Sequence, residues 1–343
     1  MISLGYKKTF IILIKFLITS GLIFWLLRGN YENFKSMLLG IDSIWFIGAV
    51  VLYLVTIFSN AWRWHIFIRI QKINISFLSV LILSARSLFF SLVIPLGAIS
   101  GDVFKIGYLL NSNKKGERLT ALSTVLIDRF FGMIGQFVLG VLMALVLYSE
   151  ISKTNTNAMY LMLILFLVSM AGLACGAALL IHRKLERFFV FRGLFQFGDK
   201  ITKGFVSRLS DIVDSYVCRK KEMFYAVLIS IFPIQVVSGV ILYFIACGIK
   251  ADPAYIAPLL LAMSFGSTAG LLPITPSGFG TRDIVIKTIL ISFGFTVSSA
   301  IAIPIIFSAI MLLVNIFLGI GFLIPLHKGK LQKTAVHKCN AAC

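Results

Sequence analysis

Two stretches of the chain combine residues that break a helix with residues that carry charge, both inside otherwise apolar sequence. The first runs Pro95-Leu96-Gly97-Ala98-Ile99-Ser100-Gly101-Asp102-Val103-Phe104-Lys105. The second runs Pro273-Ile274-Thr275-Pro276-Ser277-Gly278-Phe279-Gly280-Thr281-Arg282-Asp283, with Lys287 one turn further on. Proline removes a backbone donor and glycine loosens the chain. In hydrocarbon, non-helical backbone survives only where protein or a watery cavity surrounds it. A charge there costs roughly 2.5–3.5 kcal/mol on insertion scales, so each one needs a partner or a task. The two stretches also share a pattern: Pro95, Gly97, Ser100 and Asp102 keep the offsets of Pro276, Gly278, Thr281 and Asp283. Lys105 and Lys287 follow their acids by about one turn, which puts acid and base on one helix face.

Further charges lie in apolar sequence. Arg86 stands midway along the run that leads to the first break, and Asp128 and Arg129 lie in the first turns of another, followed by Gly132 and Gly135, whose size permits close helix approach. The bases Arg86, Lys105, Arg129, Arg282 and Lys287 outnumber the acids Asp102, Asp128 and Asp283. That surplus suits an anionic ligand, and a phosphate headgroup fits. The plainer alternative is that these are local ion pairs, Asp128 with Arg86 for example, and that both breaks are simple kinks.

The elements that must position these residues are membrane helices. Of 343 residues, 59% are hydrophobic and 13% charged, where a soluble chain carries about 25% charged residues. Apolar runs long enough to span a bilayer recur at residues 10–27, 43–61, 121–148, 159–181, 223–247 and 297–326. Trp62 and Trp64, beside Arg63, Arg69 and Lys72, mark the interface at the end of the second run. Two more runs, 76–95 and 255–272, end at the breaks. The basic loops all fall on one side only if both are re-entrant, the first turning near Pro95–Gly101 and the second near Pro273–Gly280 from the opposite side. Ser112 is then expected inside and Thr296 outside. The predicted fold class is all-α: a polytopic membrane helical bundle of about six full spans plus two opposed re-entrant segments, arranged as an inverted repeat of the kind transporters use. The backbone breaks are assigned to Pro95, Gly97, Gly101, Pro273, Pro276, Gly278 and Gly280.

A net charge of +19 raises nucleic acid as a partner, but the basic residues cluster between apolar runs and leave no basic soluble domain, so nucleic-acid binding is excluded. They follow the positive-inside rule, which predicts a multi-pass protein of the cytoplasmic membrane with both termini inside. Membrane lipids, anionic phospholipid above all, are the expected partners. The transmembrane domain is drawn over residues 1–327 and a basic cytoplasmic tail over 328–343. Within the former, residues 183–221 read as a cytoplasmic amphipathic segment: Ile201, Phe205, Leu209, Ile212 and Tyr216 recur at helical spacing between Lys203, Arg208, Asp211 and Asp214. The five cysteines form no CxxC pair, and His337, Cys339 and Cys343 read as tail, not a metal site. No small-residue cleavage site follows the first apolar run, so it is expected to be a retained helix. No metal or cofactor is expected, and no phosphate-binding P-loop is present.

"IPLGAISGDVFKIGYLL", "VLIDRFFG" and "LPITPSGFGTRD" resemble the membrane region of lysylphosphatidylglycerol synthases, a region that also occurs as stand-alone flippase-like proteins. The resemblance spans nearly the whole chain. It implies movement of an anionic or aminoacylated lipid across the bilayer, not its synthesis, because the soluble aminoacyl-transferase domain is absent. Lys105 stands where the family often has Arg, Ser277 where a second Gly is common, and Asp283 where Glu is usual. The expected function is therefore translocation of such a phospholipid, or of a lipid-linked intermediate, through a polar cleft. In that cleft Arg86, Lys105, Arg129 and Arg282 receive the headgroup while Asp102 and Asp283 hold the bases. Two alternatives remain: an enzyme or membrane subunit of lipid modification by aminoacyl or glycosyl transfer, and an anchor for a soluble lipid-modifying enzyme. The chain lacks a nucleophile–base cluster, which weighs against catalysis. Oligomeric state is not readable from the sequence.

Overall fold

A computed structural model describes residues 35–37, 39–93, 100–112, 118–152, 156–180, 213–251, 255–271, 275, 278–319 and 330–331. The expected first span, Pro95, Gly97, Pro273, Pro276, most of the 183–221 segment and residues 332–343 lie outside these. The described chain is all-α apart from one two-residue strand pair. Its helices of more than eight residues are α1 (Ser43–Ile70), α2 (Phe77–Val93), α3 (Ser100–Ser112), α4 (Arg118–Val146) and α5 (Thr156–Leu180), followed by α6 (Lys220–Gly248), α7 (Ala257–Gly270), α8 (Thr281–Ser292) and α9 (Val297–Gly319). Five of them, α1, α4, α5, α6 and α9, are long and apolar enough to cross a membrane. At 23 to 29 residues each they reach about 35–43 Å, beyond the roughly 30 Å of hydrocarbon.

The remaining four helices are short and pair into two hairpins. Phe90 of α2 stacks on Phe104 of α3, with ring centroids 4.2 Å apart. A Cβ on Gly101 would lie 2.7 Å from the Ser87 carbonyl oxygen, so only glycine lets the α3 backbone approach α2 there. In the second hairpin Gly266 of α7 faces Ile286 of α8, and Gly270 faces Gly278. Both pairings run antiparallel. With 17, 13, 14 and 12 residues, these helices reach only about 18–26 Å, short of a full crossing.

The hairpins enter from opposite ends of the bundle. Leu109 of α3 packs with Ile68, Ile73 and Ala121, at the end where α1 finishes and α4 begins. Phe293 and Phe295, just past α8, pack into the large core with Ile249 and Ala251, at the other end. There the Asp42 N–H donates to the Gly248 carbonyl (2.9 Å), joining the start of α1 to the finish of α6.

Several local readings of the sequence need correction. The second span does not close at Ala61: α1 continues through Trp62, Arg63 and Trp64 to Ile70, and Arg63, 3% exposed, is turned into the bundle. Trp64 is fully buried, while Trp62 alone of the pair faces outward. Asp128 is not in the first turns of its span, because α4 begins at Arg118 and places it nearly three turns in. Its partner is Arg63, not Arg86. The described end of the amphipathic segment, 213–217, is helical, with Tyr216 buried as its spacing implies but Asp214 buried as well.

Helix α6 carries a further irregularity. Ser230–Val236 winds as a π-helix around Pro233, whose missing N–H and ring disrupt the normal ladder. The wider turn puts Ser230 against α4: a Cβ on Gly135 would lie 2.7 Å from the Ser230 carbonyl oxygen.

Candidate functional site

Residues from both hairpins come together in the bundle interior, where they line a cavity of about 370 Å³ with all the long helices except α5. Gly101, Asp102 and Lys105 reach it from the first hairpin, and Gly270, Leu271 and Arg282 from the second. Asp128 and Arg129 project from α4. Of the bases expected in the cleft, Lys105, Arg129 and Arg282 therefore come together. Arg86 and Lys287 do not line the cavity, and Arg86 has Tyr108 of α3 as an electrostatic neighbour across the hairpin. Asp283 sits behind Arg282, and Gly278 and Gly280 shape the break beneath it.

The helices that follow the two breaks begin alike. Ser100 and Thr281 each open a helix, and Asp102 and Asp283 each occupy its first turn, where the dipole favours an anion. Each acid is then met from the long helix that follows. Asp102 accepts from Arg129 of α4 at 2.9 Å. Asp283 accepts from the Ser308 hydroxyl of α9 at 3.0 Å. Arg129 and Ser308 stand equally far from the starts of their helices, 118 to 129 and 297 to 308.

The pairs differ in access. Asp283 is 1% exposed and fully engaged by the Gly280 N–H (3.0 Å), Ser308 and Arg282. Arg282 donates in turn to Ser308 and lies over the Phe307 ring, 4.7 Å from its centroid. Gly278 (φ +76°) and Gly280 (φ +85°) adopt left-handed backbone that makes this tight turn. This half of the repeat is a closed clasp. In the other half the Asp102 and Arg129 side chains are 21% and 28% exposed and open to the cavity. Lys105 is not drawn into that pair: its ammonium sits over the Trp64 ring, 4.5 Å from the centroid.

Sequence reasoning missed several cavity residues. Arg63 donates from Nε to Asp128 Oδ1 (2.8 Å), from Nη1 to Ser230 Oγ (3.1 Å) and from Nη2 to Asn60 Oδ1 (3.2 Å). The Tyr53 hydroxyl donates to Asn315 Oδ1 at 3.1 Å. Gln136 and Gln235 are buried at the cavity wall, and Gln136 Nε2 and Gln235 Oε1 have no hydrogen-bond partner among the described residues. Isolated amides in the apolar runs of α4 and α6 were the available signal, since a polar group in such a run must find a partner or a ligand.

With Asp283 included, the cavity holds four cations (Arg63, Lys105, Arg129, Arg282) against three carboxylates (Asp102, Asp128, Asp283), a surplus of one. Lys105 supplies that surplus. The arrangement can hold an anion beside Lys105 and Arg129, with neutral amides to hydrogen-bond whatever the anion carries.

Comparison with known proteins agrees with this architecture. The lysylphosphatidylglycerol synthase TM region matches residues 12–319. A UPF0104 membrane protein of Pyrococcus horikoshii is 21% identical over 307 residues, covering 87% of this chain and 90% of the relative. The chain thus belongs to the lysylphosphatidylglycerol synthase TM region family and is a multi-pass membrane protein.

Proposed function

We propose that this membrane protein of lipid metabolism or transport translocates an anionic or aminoacylated phospholipid between leaflets, with the headgroup passing through the central cavity. The observation that carries this reading is the cavity's construction: one wall from each of two opposed hairpins, with Lys105 as surplus cation beside the accessible Arg129. A volume of about 370 Å³ lies at the lower end of small-molecule sites and suits a headgroup, leaving the acyl chains in the bilayer. The family match supports a lipid as the cargo.

Within this reading Lys105 and Arg129 hold the phosphate. Arg129 exchanges part of its bond to Asp102 for the ligand, and Asp102 keeps the guanidinium aimed or meets an amine on an aminoacylated headgroup. Arg282 and Asp283 fix the second hairpin to α9 and present a positive face without leaving their clasp. The basic end of the bundle, with Arg69, Lys72, Arg219, Lys220 and Lys221, faces the cytoplasm, and the end with Asp42, Glu150 and Lys250 faces outward.

The test is translocation of headgroup-labelled phosphatidylglycerol in proteoliposomes. Charge-assisted hydrogen bonds contribute about 1.5–3 kcal/mol, so Lys105→Gln and Arg129→Gln should each slow the process by roughly ten- to a hundredfold. Wild-type rates in both variants would remove the headgroup assignment.

A further inference from the structure

A second polar recess lies outside the central cavity and shares no lining residue with it. It occupies about 540 Å³ at the end of α1, between His65, Arg69 and Lys72 on one side and Asn74, Ser76 and Phe77 on the other. None of its lining residues is acidic, and among the described residues neither Arg69 nor Lys72 enters an ion pair. His65 Nδ1 is buried beside it with no hydrogen-bond partner among the described residues. The start of α2 borders the same space, where the Ser76 hydroxyl already takes the Ser79 N–H, and the helix dipole adds to the positive field.

The recess is built, not incidental. Ile73 and Ile75 are 2% and 6% exposed and anchor the loop in a cluster with Trp64, Ile68 and Leu109. Between them strand β1 (Ile73–Asn74) pairs antiparallel with β2 (Lys330–Leu331), from the segment beyond α9. Lys72 adopts φ +56°, a left-handed conformation uncommon for a residue with a side chain, and its N–H donates to the Arg69 carbonyl at 2.9 Å. The turn therefore holds Arg69 and Lys72 together at the rim.

The depth of the recess relative to a bilayer follows from its neighbours. Phe77 meets Phe58, Trp62 and His65 edge-on, with centroids 5.2, 5.4 and 5.6 Å away. Phe58 and Trp62 are 45% and 49% exposed on the outer surface of the bundle. The outward indole of Trp62, apolar with one polar N–H, settles at the headgroup level of a membrane. Cations directly beside it face lipid phosphates.

We infer that this recess is a binding site for the phosphate of an anionic glycerophospholipid, separate from the central cavity and independent of whether that cavity moves lipid. Arg69 and Lys72 grip the phosphate, the dipole at the start of α2 favours it, and the acyl chains lie along Phe58, Trp62 and Phe77. The anion could also come from a soluble phosphate, and the experiment separates the two sources.

The full chain is reconstituted with phosphatidylglycerol bearing a photoreactive group on its headgroup, and labelled peptides are mapped by mass spectrometry. Labelling is expected within residues 62–77. In R69Q/K72Q it should fall about thirtyfold, the loss that follows from removing two bases near an anionic surface. The charge-preserving R69K/K72R should retain it, which separates a lost contact from a misfolded chain, and excess inorganic phosphate should not displace it. Undiminished labelling in R69Q/K72Q would overturn the site, and displacement by inorganic phosphate would overturn the lipid as its occupant.

Discussion

Asp128→Ala isolates the buried pair that ties α1 to α4. Arg63 and Asp128 side chains are 4% and 10% exposed, and the guanidinium also binds Ser230 and Asn60, so one arginine fastens α4 and α6 to α1. Removing the carboxylate leaves a guanidinium with a 4% exposed side chain and only the neutral Ser230 and Asn60 as partners. Gly132 offers no escape, since its Cβ position already lies 3.2 Å from Arg63 Nη2. Breaking such a pair from one side costs about 3–5 kcal/mol. At roughly 2 °C per kcal/mol for a large chain, the thermal midpoint of purified protein should fall by about 6–10 °C. Replacing both partners with apolar residues of similar size is often neutral, so Arg63→Met/Asp128→Leu should recover most of that loss. An unchanged midpoint in Asp128→Ala, or a double variant no better than the single, would refute the reasoning that the pair is buried and holds the helices together.

Two further outcomes follow from the same geometry. Gly278→Ala must place a side chain at φ +76° and 3.1 Å from Gly270 Cα; chemical denaturation should show a loss of about 1–2 kcal/mol from backbone strain alone. Tyr255 donates to Glu150 beside the start of α7, and that bond, aided by burial and the carboxylate's charge, pushes its hydroxyl from an ordinary 10.0 up to about 12. A raised folded-state value means the stabilisation is fully present below pH 10 and is lost as pH climbs through 12. Stability measured across that window should therefore decline in wild type and stay flatter in Tyr255→Phe.

Much of the fold was legible because membrane helices obey few rules. Length and hydropathy locate the described spans to within a few residues, except where α1 runs on past Trp62. There an aromatic–basic–aromatic triplet reads as the end of the span, and only the partner on α4 reveals that Arg63 is buried. The opposed hairpins were legible from charge bookkeeping together with the matched Pro-Gly-Ser/Thr-Asp spacing, since a short helix that cannot cross must return. Which base meets which acid was not legible. Asp102 with Arg129 and Asp128 with Arg63 join residues on separate helices, and spacing along one helix says nothing about the crossing of two. The same limit explains why Lys105 and Lys287, alike in sequence, diverge: one reaches the cavity over Trp64 and the other does not line it. Gln136 and Gln235 are silent in any search for charge, and Gln235 takes its place through a π-helical turn around Pro233.

The account depends on the two hairpins opening to opposite faces of the membrane, because only that arrangement lets one cavity serve both leaflets. Sided labelling tests it directly, with single cysteines at Ser112, where α3 ends, and at Thr296, the exposed residue before α9, in a cysteine-free chain. An impermeant thiol reagent added to sealed cells should modify Thr296→Cys and spare Ser112→Cys until the membrane is opened. Modification of both positions from the same side would contradict the opposed hairpins, and with them the cavity as a path between leaflets.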